Sequence, residues 1–207
     1  MSETPPPAVA DALRTLDVSR ETIDRLACYV HELRTWQRAI NLVGPATLDD
    51  AWRRHVLDCA QLLRWLPSRQ AVIADMGSGA GLPGMILALC GCTRVHLIES
   101  DQRKAAFLRH VARVCDITPM FHVKRLEAVG NLQADIVTAR ALAPLEHLLG
   151  YAAPLLAAHG HGLFLKGARA QSELTAARQR WHITVTQHPS LSDPAGVILD
   201  IAEIHPV

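Results

Sequence analysis

A carboxylate followed by glycines at every second position, Asp75, Gly77, Gly79 and Gly81, is the stretch of this sequence best suited to hold a small ligand. Glycine carries no Cβ and accepts positive φ, so such a backbone can turn sharply and lie flush against what it binds. The loop needs elements to fix it. A β-rich run at residues 71–74 leads in, and Pro83, which suits the first turn of a helix, leads out. Amides left unpaired at that helix start are expected to face the ligand. Strand, glycine loop and helix make half of a nucleotide-binding βαβ unit.

Two ligands compete for the loop. From Gly79 the spelling Gly-x-Gly-x-x-Gly, through Gly81 and Gly84, matches a dinucleotide fingerprint, with Glu99 twenty residues on to take a ribose. From Asp75 the spelling is acid-x-Gly-x-Gly-x-Gly, that of S-adenosylmethionine (SAM) sites. A carboxylate at the strand end repels a pyrophosphate but accepts a hydrogen bond from the ammonium of a methionine moiety, directly or through water. Asp75 therefore favours SAM, cradled by Gly77, Ser78, Gly79, Gly81 and Leu82, with NAD as the alternative.

From residue 71 onwards, strand and helix patterns alternate, the signature of a doubly wound sheet. Strands are expected at 71–75, 94–99, 117–123, 135–139 and 162–166, and helices near 83–90, 102–115, 144–158 and 170–180. A closing antiparallel pair at 182–188 and 197–204 completes a mostly parallel, seven-stranded α/β sheet. Ligands of such sheets bind beyond the carboxyl ends of the strands. That rule singles out Asp75, Glu99, Arg140 and Lys166. Glu99 can accept both ribose hydroxyls, and the amides of the turn Arg125-Leu126-Glu127-Ala128 can meet an adenine. Arg140 and Lys166 put two cations at the mouth of a site otherwise rich in carboxylates.

The preceding residues must support this core. Residues 1–7 read as a Pro-rich tail, 8–67 as a helical extension and 68–207 as the ligand-binding core. Ile23, Leu26, Val30, Leu33, Trp36 and Ile40 form one apolar stripe; Leu48, Trp52, Val56, Cys59, Leu63 and Leu66 form a second. Thr47 is expected to cap the second helix, with Asp49 and Asp50 in its first turn. His55 and Asp58 lie one turn apart on it and are placed to meet.

The chain of 207 residues has 49% hydrophobic and 20% charged residues, the composition of an ordinary globule with a full core. No apolar run reaches the ~20 residues of a membrane span, and no signal peptide is visible. Five irregularly spaced cysteines suit reduced thiols in a cytoplasm and offer no metal-binding set. A net charge of +1 argues against a surface that coats nucleic acid indiscriminately. Yet 18 of the 21 basic residues are Arg, the side chain suited to bidentate phosphate contacts.

With these residues in view, the sequence resembles the bacterial 16S rRNA guanine-N7 methyltransferases of the RsmG (GidB) type, from about residue 22 to 170. The segments that carry the resemblance are Trp36-x-x-x-Ile40-Asn41-Leu42, Arg54-His55-Val56-Leu57-Asp58-Cys59 and the whole of Asp75 to Gly84 with its Leu-Pro-Gly ending. Leu97-Ile98-Glu99-Ser100, Arg103-Lys104, Phe107-Leu108, Ala139-Arg140-Ala141 and Leu165-Lys166-Gly167 add to it. The resemblance implies a Rossmann-like SAM-dependent methyltransferase fold with an N-terminal helical extension. It implies methylation of the guanine at position 527 of the small-subunit rRNA. Separately, a monomer without metal or membrane association is expected. Arg140 and Lys166 would then anchor RNA backbone or guanine O6, and Asn41, His55 and Asp58 would shape the pocket from the helical side. The sequence departs from the family at Ala139, where Ser is usual, and at residues 194–199, where an Arg is common. Arg169, Arg178 or Arg180 could replace that contact. A SAM enzyme with another substrate, or a ribosome-associated SAM-binding protein without activity, are the alternative readings.

Overall fold

The computed structural model describes residues 4–207. The first three positions of the expected tail lie outside the described residues, and Pro7 already opens the first helix. Two helices, α1 (Pro7–Thr15) and α2 (Arg20–Gln37), come first. Ser19 caps α2, its side chain accepting a hydrogen bond from the Thr22 amide at 3.2 Å. The second expected helix is instead a mixed rod. A 3-10 turn (Pro45–Thr47) precedes a π-helical stretch (Trp52–Leu57), the α-helical turn α3 (Asp58–Ala60) and a closing 3-10 turn (Gln61–Trp65). Thr47 does not cap it: the hydroxyl donates to the Gly44 carbonyl at 2.6 Å.

The sheet follows as β1 (Val72–Met76), β2 (Arg94–Ile98), β3 (Met120–His122), β4 (Ala134–Arg140), β5 (Leu156–Lys166), β6 (Trp181–Pro189) and β7 (Val197–Pro206). Its order is β3-β2-β1-β4-β5-β7-β6. The first five strands pair in parallel, and β7 runs antiparallel to both β5 and β6. Helices α4 (Gly84–Leu89), α5 (Gln102–Val114), α6 (Leu145–Ala152) and α7 (Ala170–Ala177) cross between strands. The chain order reverses between β1 and β4, so the ligand crevice opens there.

Alternation along β1 divides the core. Ile73 faces a cluster that takes in α1, α2, the mixed rod, α4 and α5, whereas Val72, Ala74 and Met76 face α6 and α7. The N-terminal helices thus share one continuous core with the sheet. Helix α6 is shorter than its sequence pattern predicts, and β5 begins at Leu156. Pro154, without an amide hydrogen, closes the helix in a 3-10 turn. Gly160 then lets β5 approach β4, since a Cβ there would sit 2.4 Å from the Ala134 carbonyl. That close approach overrides the helix preference of Ala157 and Ala158.

Candidate functional site

Asp75, one residue before the end of β1, lies opposite Thr138 of β4, and the pairing decides where its carboxylate goes. The Thr138 hydroxyl donates to Oδ1 at 2.8 Å, and the side chain is completely buried. Oδ2 has no hydrogen-bond partner and lies at the start of α4, 2.7 Å from where a Cβ on Gly84 would be. Burial pushes the Asp75 carboxyl up to about 6, against the lowering influence of Ser78, Thr138 and the Gly84 amide. The carboxylate thus sits against the helix start, and Asp75 lies beneath the loop instead of lining a cavity. Pro83 precedes α4 as its N-cap, through a cis peptide bond, rather than occupying its first turn.

The glycines divide their work. Gly77, Gly79 and Gly81 all have positive φ, of 61°, 56° and 87°. A Cβ at Gly81 would strike Met85 at 2.4 Å, so Gly81 serves packing and does not face the cavity as expected. A Cβ at Gly77 would meet Leu142 at 2.5 Å. At Gly79 the only neighbour is the Gly77 carbonyl at 3.7 Å, which leaves open space for a ligand to approach bare backbone. A feature hidden in the sequence steadies the loop: Tyr29, fully buried on α2, donates its hydroxyl to the Ala80 carbonyl at 2.9 Å.

This open space belongs to a cavity of about 600 Å³ lined by Gly77, Ser78, Gly79, Leu82, Glu99, Leu126, Glu127, His55 and Arg140, among others. Glu99 accepts hydrogen bonds from the Gly79 amide at 2.8 Å and the Asp101 amide at 2.7 Å. Each carboxylate oxygen keeps a second lone pair for a ribose hydroxyl. Ala128 does not line the cavity, and its amide is already bonded to the Arg125 carbonyl at 3.0 Å. Asn41 is exposed and also stays outside; its neighbours Leu42, Val43 and Gly44 form the wall. Gln37 clasps that wall, accepting from the Leu42 and Val43 amides at 2.9 and 3.0 Å and donating to the Val43 carbonyl at 2.9 Å.

A second cavity, of about 840 Å³, adjoins the first and is lined by Arg53, Arg54, Asp58, Lys166 and Arg169 with the turn around Ser192. The two share Arg140, Ala141, Leu142 and Ala143. Ala141 sits at φ 53°, a left-handed conformation that costs an L-residue about 1–2 kcal/mol. Arg140 is fixed from the mixed rod. Its Nη1 donates to the Arg54 carbonyl at 3.0 Å and lies 3.3 Å from Asp58 Oδ2; its Nη2 lies 2.7 Å from His55 Nδ1. His55 and Asp58, expected to meet each other, both turn to Arg140.

Because a guanidinium can only donate, His55 Nδ1 must accept, which leaves the hydrogen on Nε2. Nε2 then donates to Thr47 Oγ1 at 2.8 Å, and Thr47 passes its own hydrogen to Gly44. Burial, with Arg140 and Arg54 alongside, pulls His55 down to about 4, so its ring is neutral at neutral pH. Burial also pushes the Cys59 thiol well above its usual range, so the sulfur beside Arg140 stays protonated. Lys166 is not a free cation. It bonds Glu173 at 2.8 Å and the Ala143 carbonyl at 2.9 Å, bracing the shared wall. Of the candidate replacements for the family's Arg, Arg169 lines the second cavity, Arg178 is exposed, and Arg180 pairs with Glu146 at 2.6 Å.

Among the described residues no helix is long and apolar enough to cross a membrane, and no cluster of three metal-ligating side chains occurs. In solved structures the fold matches the SAM-bound magnesium protoporphyrin IX methyltransferase of Synechocystis, with a TM-score of 0.59 at 16% identity over 90% of this chain and 97% of that one. It also matches the ribosomal protein L11 methylase of Lactobacillus delbrueckii, with a TM-score of 0.58 at 17% identity over 72% and 77%. The architecture is the Rossmann-like SAM-dependent methyltransferase fold. The ribosomal RNA small subunit methyltransferase G of Rhodospirillum rubrum is 53% identical over 91% of this chain and 94% of its own. That of Rhodospirillum centenum is 50% identical over 100% and 97%. The GidB family model, described as rRNA small subunit methyltransferase G, matches residues 22–195, and the chain belongs to that family.

Proposed function

We propose that this methyltransferase transfers the methyl group of SAM to N7 of the guanine at position 527 of 16S rRNA, within the small ribosomal subunit. The observation that carries the reading is the wall common to the two cavities, with Arg140 in it. One cavity offers bare backbone at Gly79 and the carboxylate of Glu99, which suit the methionine and ribose of SAM. The other is rimmed by Arg54 and Arg169, which suit phosphates, while Arg53 beside them is committed to Asp50 and the Ser192 carbonyl.

When bound, SAM supplies an electrophilic methyl on a sulfonium. Guanine N7 carries an in-plane lone pair and no proton, so the protein needs no general base. Its residues position and exclude water. Arg140, held by His55 and Asp58, keeps donors free for guanine O6 or a phosphate. Neutral His55 and the protonated Cys59 thiol leave Asp58 to balance its charge. We place the enzyme with its ribosomal substrate in the cytoplasm, acting as a monomer.

The test is radiolabelled transfer onto small subunits purified from a strain lacking the gene. The expected product is 7-methylguanosine at one position, revealed by mild reduction and aniline cleavage. Label on an exocyclic nitrogen, a ribose or a protein would overturn the assignment.

A further inference from the structure

We propose that the turn between β6 and β7 is a positioning device for Arg140, acting through the hydroxyl of Ser192 on Asp58. This rests on the function proposed above. The turn belongs to the far edge of the sheet, yet its polar atoms are spent on the mixed rod. Arg53 Nη1 donates to the Ser192 carbonyl at 2.5 Å, and the Leu191 amide donates to Gln61 Oε1 at 2.7 Å. Gln61 Nε2 reaches Ser190 Oγ at 3.1 Å, which also accepts from the Ser192 amide at 3.1 Å. Gln61 is fully buried and Ser192 is 4% exposed. A solvent loop has no need of such an anchor.

The purpose lies in the last bond of the set. Ser192 Oγ donates to Asp58 Oδ1, while Asp58 Oδ2 faces Arg140 Nη1 at 3.3 Å. Oδ1 also accepts from Gln61 Nε2 at 3.2 Å, and the two donors pin one side of the carboxylate so that the other points at the guanidinium. The groups facing Asp58 are Arg140, Arg54 and Asp193, and His55 shares Arg140 from the other side. Burial pushes the Asp58 carboxyl up, Arg140 and Ser192 hold it down, and Asp193 opposes them. Without the Ser192 hydroxyl, Asp58 keeps only the longer Gln61 contact, so it turns more freely and takes up a proton more readily. Arg140 then loses its charge partner and its aim.

The test compares Ser192→Ala with wild type in methyl transfer to small subunits from about pH 5 to 9, with calorimetry for SAM and carbon-13 NMR of the Asp58 carboxyl. We expect kcat to fall about tenfold, as for a displaced catalytic contact, with SAM affinity held within about twofold. The acid limb of kcat and the Asp58 titration should both move to higher pH. In an Asp58→Asn background the same change should cost nothing further, and Ser192→Thr, which keeps the hydroxyl, should recover activity. An additive loss in the Asn background, or an unmoved acid limb and Asp58 titration, would overturn the proposal. Wild type that leaves subunits unlabelled would sink the substrate assignment instead, and the Asp58 titration would still decide the Ser192 link.

Discussion

Asp75→Asn should make the protein more stable at neutral pH, and the gain should vanish in acid. The carboxyl rises from 3.8 to about 6 on folding. Its burial penalty is therefore absent below the unfolded value and complete above about pH 6, where it amounts to about 3 kcal/mol. His55 runs the other way. Its fall from 6.5 to about 4 gives a penalty that is absent above pH 6.5 and grows to about 3 kcal/mol as pH drops towards 4. In wild type the two penalties exchange places across this window and their sum stays nearly level. Asn at position 75 keeps a partner in the Thr138 hydroxyl, which can reverse its role, and removes one penalty only.

Urea unfolding of wild type and variant at about pH 4 and 7 reads the difference directly, because every other group titrates alike in both. The variant should match wild type near pH 4 and exceed it by about 3 kcal/mol near pH 7, or about 6–12 °C in Tm. Calorimetry should show SAM binding tightening in wild type as pH rises through about 6, since a cationic ligand favours the ionised carboxylate, with no such rise in the variant. An Asn variant less stable than wild type at pH 7, or a difference that ignores pH, would refute the reasoning.

Tyr29→Phe leaves the buried Ala80 carbonyl without its donor, and should lower stability by about 1–3 kcal/mol and weaken SAM binding, both measurable on one purified sample. Gly79→Ala adds about 1–2 kcal/mol of left-handed strain and a methyl in the open cavity, so SAM affinity should fall while the fold survives. Gly84→Ala instead drives a methyl to 2.6 Å from Asp75 Cβ, and thermal unfolding should show a much larger loss. Lys166→Met takes the ammonium from the Ala143 carbonyl and leaves Glu173 only the Leu145 amide, costing about 2 kcal/mol. The salt dependence of RNA binding should not change with it, because Lys166 is committed to the wall.

Strand-by-strand alternation and the glycine spacing are local signals, and they made the sheet, its antiparallel edge and the ligand loop legible in the sequence. What escaped depends on partners far along the chain. Tyr29 falls on the same helical face as Leu26 and Leu33, but its hydroxyl acquires meaning only beside Ala80, fifty-one residues away. A strand-end position suggests an acid that reaches a ligand directly; the register with Thr138 and complete burial of Asp75 emerge only from the packed sheet. Thr47 has the chemistry of a cap, which it uses on Gly44 and His55 instead. The turn from Ser190 to Ser192 bonds within itself, but its anchors to the mixed rod lie 129 or more residues upstream, where no local pattern reveals them.

A partition shared by two chambers cannot be remodelled from one side. Residues 140–143 line both cavities, so under the proposed function a substitution there should alter the binding of methyl donor and acceptor together. Independent adjustment belongs to the outer margins: Lys104, Lys124 and Glu127 on one side, Arg169 and Ala176 on the other. A redesign aimed at a new acceptor should begin at the second set and leave the partition as it stands.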